Sequence, residues 1–238
     1  MEATTMRHAL LPEPEATHTP LLEDRVDAGR RLAAALRKYR GPGTVVLGIP
    51  RGGVPVAAEI ARQLGAKLDV IVARKIPAPV SPEYAIGAVT ADGARYLSSE
   101  ALWSLGVSQP YVDAASEREV REALERHHRY HAHLPAQPLQ GAVAIVVDDG
   151  LATGATVCAA VRAVRRQRPA RLVVAVPVGT AEACQLLGEE ADEIVCLYQP
   201  EPFHAVGLHY RDFHPTGESE VIELLEEAGR RAGGSAPA

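Results

Sequence analysis

Continuous apolar runs of strand length alternate along this chain with stretches in which apolar residues recur at helical spacing. The runs Thr44–Ile49, Leu68–Ala73, Ala144–Val147, Arg171–Pro177 and Glu193–Leu197 read as strands. Unbroken apolar character, rather than strict alternation, marks strands buried on both faces of a parallel sheet. Helical spacing covers Arg25–Tyr39, with Val26, Gly29, Leu32, Ala33 and Leu36 on one face, and then Val54–Leu64, Ala155–Arg166 and Ala181–Leu187. Ser99–Leu105 and the densely charged Asp113–His133 add two more helices. Asp24 is placed to cap the first helix, Gly41-Pro42-Gly43 ends it, and Gly65 stops the second. Residues 74–93, punctuated by Pro77, Pro79, Pro82 and Gly87, read as a loop. Strands alternating with helices at this spacing predict an α/β fold with a doubly wound, mainly parallel sheet.

The same pattern divides the chain into an N-terminal arm over residues 1–20, a core over 21–197 carrying a helical insert at about 98–140, and a C-terminal segment over 198–230. Composition agrees. The chain has 238 residues, enough for one large domain with a small appendage, and its 47% hydrophobic content argues against disorder. A net charge of −5 supplies no basic field, so no nucleic-acid partner is expected. Cys158, Cys184 and Cys196 are odd in number and unpaired in spacing, which suggests a reducing compartment and no structural zinc. No stretch approaches the roughly 18–20 apolar residues that span a bilayer, and the acidic, proline-bearing start does not read as a signal peptide. A cytoplasmic location without membrane contact is expected.

Chemistry concentrates in Ala144-Ile145-Val146-Val147-Asp148-Asp149-Gly150-Leu151-Ala152-Thr153-Gly154-Ala155-Thr156. A buried strand delivers two acids and a small, hydroxyl-rich turn, and a helix opens where free backbone N–H groups and a partial positive charge suit a phosphate. Two carboxylates just upstream suit the cis-diol of a ribose, or Mg²⁺. The segment therefore looks built for a 5-phosphoribosyl group. A second site follows the first strand: Gly48-Ile49-Pro50-Arg51-Gly52-Gly53 opens a helix at the same sheet edge. Its glycines permit close approach of backbone to ligand, and Arg51 offers a forked donor for phosphate oxygens. The loop has neither the ending of a P-loop nor the spacing of a dinucleotide fingerprint.

The acid–glycine–threonine run closely resembles the 5-phosphoribosyl-1-pyrophosphate (PRPP) signature of type I phosphoribosyltransferases, and the resemblance extends over about residues 44–215. Asp24-Arg25-x-x-Ala28-Gly29, Ile49-Pro50-Arg51-Gly52-Gly53 and Pro82-Glu83-x-Ala85-Ile86-Gly87-Ala88 look more narrowly like a bacterial group of unassigned acceptor. The resemblance implies that Asp148 and Asp149 hold the ribose hydroxyls, and that Ala152, Thr153, Gly154, Ala155 and Thr156 cradle the 5-phosphate. Pro50, Arg51 and Gly52 would take the diphosphate together with Lys75. Asp148, Asp149, Lys75 and Arg51 are thus the expected catalytic set. Mg²⁺ is the expected cofactor, chelated mainly by diphosphate and ribose, so few protein ligands are expected and Asp148 and Asp149 are the candidates.

In several phosphoribosyltransferases an Arg-Lys pair like Arg74-Lys75 precedes a mobile lid. Lys75 is then expected at the leaving group; the alternative is that both cations pair with surface acids. Glu83 and Tyr84 are lid contacts or turn residues, and the prolines make the loop stiff. The family's hood, which stacks an aromatic ring on the acceptor base, corresponds to residues 198–230, with Phe203, Tyr210 and Phe213 as candidates for stacking or for packing. The Phe-x-x-Val-Gly-x-x-Tyr pattern looks like the hood of hypoxanthine-guanine enzymes, but His209 stands where an acid is expected before Tyr210. In the insert, His127, His128, His131 and His133 have spacing that suits a metal, although a solvated or oligomer-facing helix is the better reading. The resulting expectation is transfer of a 5-phosphoribosyl group from PRPP to a purine or pyrimidine base by a homo-oligomer, a dimer. A PRPP-sensing regulator without turnover, or a nucleotide hydrolase or phosphorylase, are the alternatives.

Overall fold

The apolar runs do pair into one buried sheet, and the chain's punctuation sets where each element starts and stops. The computed structural model describes residues 20–81 and 84–233, so the expected arm, apart from Pro20, and Glu83 lie outside the described residues. Helix α1 (Arg25–Ala35) starts at Asp24, whose side chain accepts a hydrogen bond from the Asp27 amide at 2.7 Å, and a short 3₁₀ turn extends it to Tyr39. Strand β1 (Thr44–Gly48) leads into α2 (Gly53–Leu64), which ends at Gly65 in the left-handed conformation, φ 60°. Then follow β2 (Lys67–Val70), β3 (Ala73–Pro77), β4 (Ala85–Thr90), β5 (Arg95–Leu97), α3 (Ser99–Ser104) and α4 (Gln109–His131). The second half runs β6 (Val143–Val147), α5 (Ala155–Arg166), β7 (Arg171–Val178), α6 (Ala181–Gly188), β8 (Glu193–Tyr198) and α7 (Glu218–Gly233).

Five strands form a parallel sheet in the order β2-β1-β6-β7-β8. Alternate residues serve opposite faces: Val46, Ile145, Val173 and Val195 pack under α1, α2 and α7, while Val45, Ala144, Val146 and Val174 pack under α5 and α6. Each buried valine or isoleucine among them stabilises the fold by about 1.5–3 kcal/mol relative to exposure. The chain winds outward from β1 to β2 in one direction and from β6 to β8 in the other. The crevice outside the strands' carboxyl ends therefore opens between β1 and β6, where Gly48 lies opposite Val147.

Two sequence expectations need correction. The run Leu68–Ala73 is not one strand: pairing with β1 stops at Val70, and Ala73 begins a separate antiparallel sheet of order β3-β4-β5. Residues 74–93 are accordingly not a loop but largely the β3–β4 hairpin. Pro77 escapes the ban on proline in sheets because β3 is an edge strand and its register shifts between Ile76 and Pro77. This small sheet packs on α3 and α4 through Ile76, Ile86, Val89, Val112 and Ala115, so the insert supplies its core. The C-terminal segment also carries α7, whose Val221 and Leu225, four apart, are fully buried.

Candidate functional site

Two connections meet at the β1–β6 crevice so closely that the first has no room for a side chain at Gly52 or Gly53. A β-carbon on Gly52 would fall 1.9 Å from Oδ2 of Asp149, and one on Gly53 would fall 2.6 Å from the Val147 carbonyl oxygen. The Ile49 amide donates to that same carbonyl at 2.9 Å. The Pro50–Arg51 peptide is cis, and Arg51 is exposed at the mouth of the crevice.

The β6–α5 turn is held from the far side. Leu151 donates its amide to the Val178 carbonyl at 2.9 Å, and the Thr180 hydroxyl donates to the Ala152 carbonyl at 2.9 Å. Gly154 adopts φ 78° and no side chain caps α5. The first-turn amides of that helix are therefore left for an anion. Ala152 and Thr153 are exposed, Gly154 and Ala155 are buried, and Thr156 is half-buried, so the predicted phosphate turn is open to solvent at its first two residues.

The two acids differ. Burial and the neighbouring Asp149 push the Asp148 carboxyl well above the usual carboxylate range, against the opposing pull of the Lys75 charge. Asp148 Oδ1 also accepts the Asp149 amide at 2.9 Å. Asp149 instead receives Arg25: Nε and Nη2 both donate to its Oδ2, at 2.9 and 2.8 Å. Lys75 projects from β3 and is exposed, without an ion pair among the described residues. Its neighbour Arg74 donates through Nε to Glu119 of α4 at 2.8 Å, so of the two cations only Arg74 pairs with an acid among the described residues.

The C-terminal segment closes over this corner. Val206 sits where a β-carbon on Gly150 would be, 2.3 Å from its Cγ1. Tyr210 is 4% exposed, donates its hydroxyl to the Asp149 carbonyl at 2.6 Å, and is raised well above its ordinary pKa by burial. Phe213 lies under the Arg25 guanidinium, 4.0 Å from ring centre to Cζ. Phe203 is half-buried, its ring centre 5.1 Å from that of His209. The side-chain nitrogens Gln199 Nε2 and His209 Nε2 are buried with no partner among the described residues. Backbone pairing of Leu22 and Glu23 with residues 209–212 ties this segment to the start of α1.

The insert histidines are drawn into separate roles. His131 Nε2 contacts Asp69 Oδ1 at 2.9 Å, and His133 Nδ1 contacts Glu226 Oε1 at 2.9 Å. Among the described residues, no group of three or more His, Cys, Asp or Glu side chains is arranged to hold a metal ion, and no helix is long and apolar enough to cross a membrane. All three cysteines are buried and free.

The phosphoribosyl transferase domain matches residues 20–200 of this chain. The chain belongs to that family. Its relatives include a protein found in two strains of Mycobacterium tuberculosis, whose name gives phosphoribosyl transfer as an unproven activity; it is 42% identical over 210 residues, covering 88% of this chain and 47% of the relative. The chain thus spans about half the length of the curated relatives it matches. Among solved structures, TT1426 from Thermus thermophilus is similar at 42% identity and a TM-score of 0.73, over 87% of this chain and 98% of that one.

In this member of the phosphoribosyl transferase domain family the residue that sequence reasoning passed over is Arg25. It was visible only as part of a shared opening pattern. One physical signal was available: a cation at the first position of a helix opposes the macrodipole, which points to an anion nearby.

Proposed function

We propose that this chain is a Mg²⁺- and PRPP-dependent phosphoribosyltransferase that passes the 5-phosphoribosyl group to a nitrogenous base, a purine or pyrimidine, and releases diphosphate. The observation that carries the reading is the convergence of an uncapped α5 N-terminus, the Asp148–Asp149 pair and the Arg51–Gly52 loop on one crevice. In this reading the amides of Ala152–Thr156 hold the 5-phosphate, and Asp148 and Asp149 hold the ribose hydroxyls. Arg51, Gly52 and the Pro50 backbone grip the diphosphate, with Lys75 facing its developing charge. The acceptor nitrogen forms a bond to C1 from one face as the bond from C1 to diphosphate oxygen breaks on the other; the configuration inverts and the acceptor loses its N–H proton to solvent.

Two carboxylates without a closed ligand cluster fit Mg²⁺, which ordinarily keeps waters and rides on substrate phosphates plus one or two protein carboxylates. When bound, the ion neutralises charge on the diphosphate. With Tyr210 and Phe213 engaged by Asp149 and Arg25, Phe203 beside His209 is the remaining stacking surface for the base, and the open nitrogens of Gln199 and His209 are suited to its polar edge. A cytoplasmic homodimer completes the reading.

The test is diphosphate release from PRPP with Mg²⁺ and a panel of purine and pyrimidine bases, with EDTA as control. Release with at least one base, abolished by EDTA and restored by Mg²⁺, supports the proposal. Tight PRPP binding with no release from any base leaves a sensor, and absence of both overturns the donor site.

A further inference from the structure

The Arg25 guanidinium touches both an acid of the crevice and the C-terminal segment, and we propose that it is a positioning residue that fixes which oxygen of Asp149 faces the donor. The inference rests on the donor-site reading above. Both contacts from Arg25 go to Oδ2, from Nε and Nη2, so the guanidinium leaves Oδ1 unused. An ion pair serving stability alone gains most from a two-oxygen fork, each N–H bonding its own oxygen. Here the second oxygen is withheld from the arginine. A ribose hydroxyl needs one such free acceptor.

The rest of the arrangement holds this asymmetry. Gly52 lies so close to Oδ2 that a methyl group there would meet it, so only glycine leaves the carboxylate in this position. Arg25 Nη1 donates to the His214 carbonyl at 2.8 Å, and Phe213 backs the guanidinium plane at 4.0 Å. The Asp149 main chain is pinned independently, its carbonyl accepting the Tyr210 hydroxyl at 2.6 Å. The ion pair is largely enclosed, with 10% of the Arg25 side chain and 17% of the Asp149 side chain exposed, so solvent screens it little. Arg25 therefore acts on the donor through Asp149, and its loss is felt only while that carboxylate is present.

The experiment is calorimetric titration of PRPP with Mg²⁺ into the full chain and its Arg25→Met, Arg25→Lys, Asp149→Asn and Arg25→Met/Asp149→Asn variants, each checked by urea unfolding. Arg25→Met is expected to weaken binding about tenfold or more, and Arg25→Lys to recover part of the loss because it keeps the charge but not the fork. The double variant should bind within about twofold of Asp149→Asn alone, the non-additivity of residues acting as a unit. Wild-type affinity in Arg25→Met, or losses that multiply in the double variant, overturns the inference. If Asp149→Asn binds below detection, the graded order wild type, Arg25→Lys, Arg25→Met decides; if Arg25→Met does not fold, the cycle is run with Arg25→Lys. A wild-type chain that does not bind PRPP refutes the donor-site reading itself and takes this inference with it, a result distinct from wild-type binding that Arg25 does not affect.

Discussion

Gly52 and Asp149 are in contact across the crevice: a β-carbon on the glycine would lie 1.9 Å from the carboxylate Oδ2 and 2.6 Å from its carbon. The smallest substitution at this point displaces the carboxylate from Arg25. Gly52→Ala is expected to destabilise the fold by about 1–3 kcal/mol, the range for overpacking a close contact, and to weaken PRPP binding. Urea unfolding and calorimetry measure the two effects; an unchanged midpoint and affinity would mean the contact relaxes freely.

Lys75 and Arg74 are adjacent on β3 and should respond in opposite ways. Arg74 holds Glu119, which is 7% exposed, so Arg74→Met leaves a buried acid short of a partner and costs about 1–3 kcal/mol. Lys75→Ala removes an exposed side chain and should leave the unfolding midpoint unchanged while lowering donor affinity. Equal stability losses in the two variants would contradict the division.

Gly154 opens α5 at φ 78°, a conformation costly to a residue with a β-carbon. Space is not the obstacle, since the nearest atom to an added methyl is the Ala183 Cβ at 3.5 Å. Gly154→Ala should therefore cost about 1–2 kcal/mol through backbone conformation alone, seen as a lower urea midpoint at unchanged slope.

The His131–Asp69 contact makes stability depend on pH. Burial pulls the imidazole down, but the hydrogen bond and charge of Asp69, joined by the His127 carbonyl, outweigh it and hold His131 above its ordinary value. A group raised in the folded state contributes fully below its unfolded pKa, about 6.5, and that contribution is lost as pH rises through the folded value. His127, lowered first by desolvation and then by the charges of His131 and His128, acts in the opposite sense. The comparison that isolates His131 is wild type against His131→Gln: the stability advantage of wild type should shrink as pH rises above about 6.5. An advantage that grows with pH would reverse the assignment.

Much of the fold was legible because it is local. The continuous apolar runs ending at Gly48 and Val147 gave the buried strands, and capping chemistry at Asp24 and Gly65 gave helix ends that the structure shares. The β3–β4 hairpin was not legible, because Pro77 and Pro79 signal a loop locally and only pairing with Ala85–Thr90 across the small sheet makes β3 a strand.

The candidate site divides along the same line. The run Asp148-Asp149-Gly150-x-Ala152-Thr153-Gly154-x-Thr156 by itself determined which residues share a turn, since a strand end followed by a helix start is fixed by nearest neighbours in the chain. What touches that turn was decided by tertiary structure. Arg25 reaches Asp149 across 124 positions of chain, and Tyr210 across 61. Those partners are selected by sheet order and by the closure of the C-terminal segment onto α1, and a contact made through packing leaves little periodic trace in sequence. The histidines of α4 show it from the other side: their spacing was plain in the sequence, and the distant Asp69 and Glu226 determined what His131 and His133 hold.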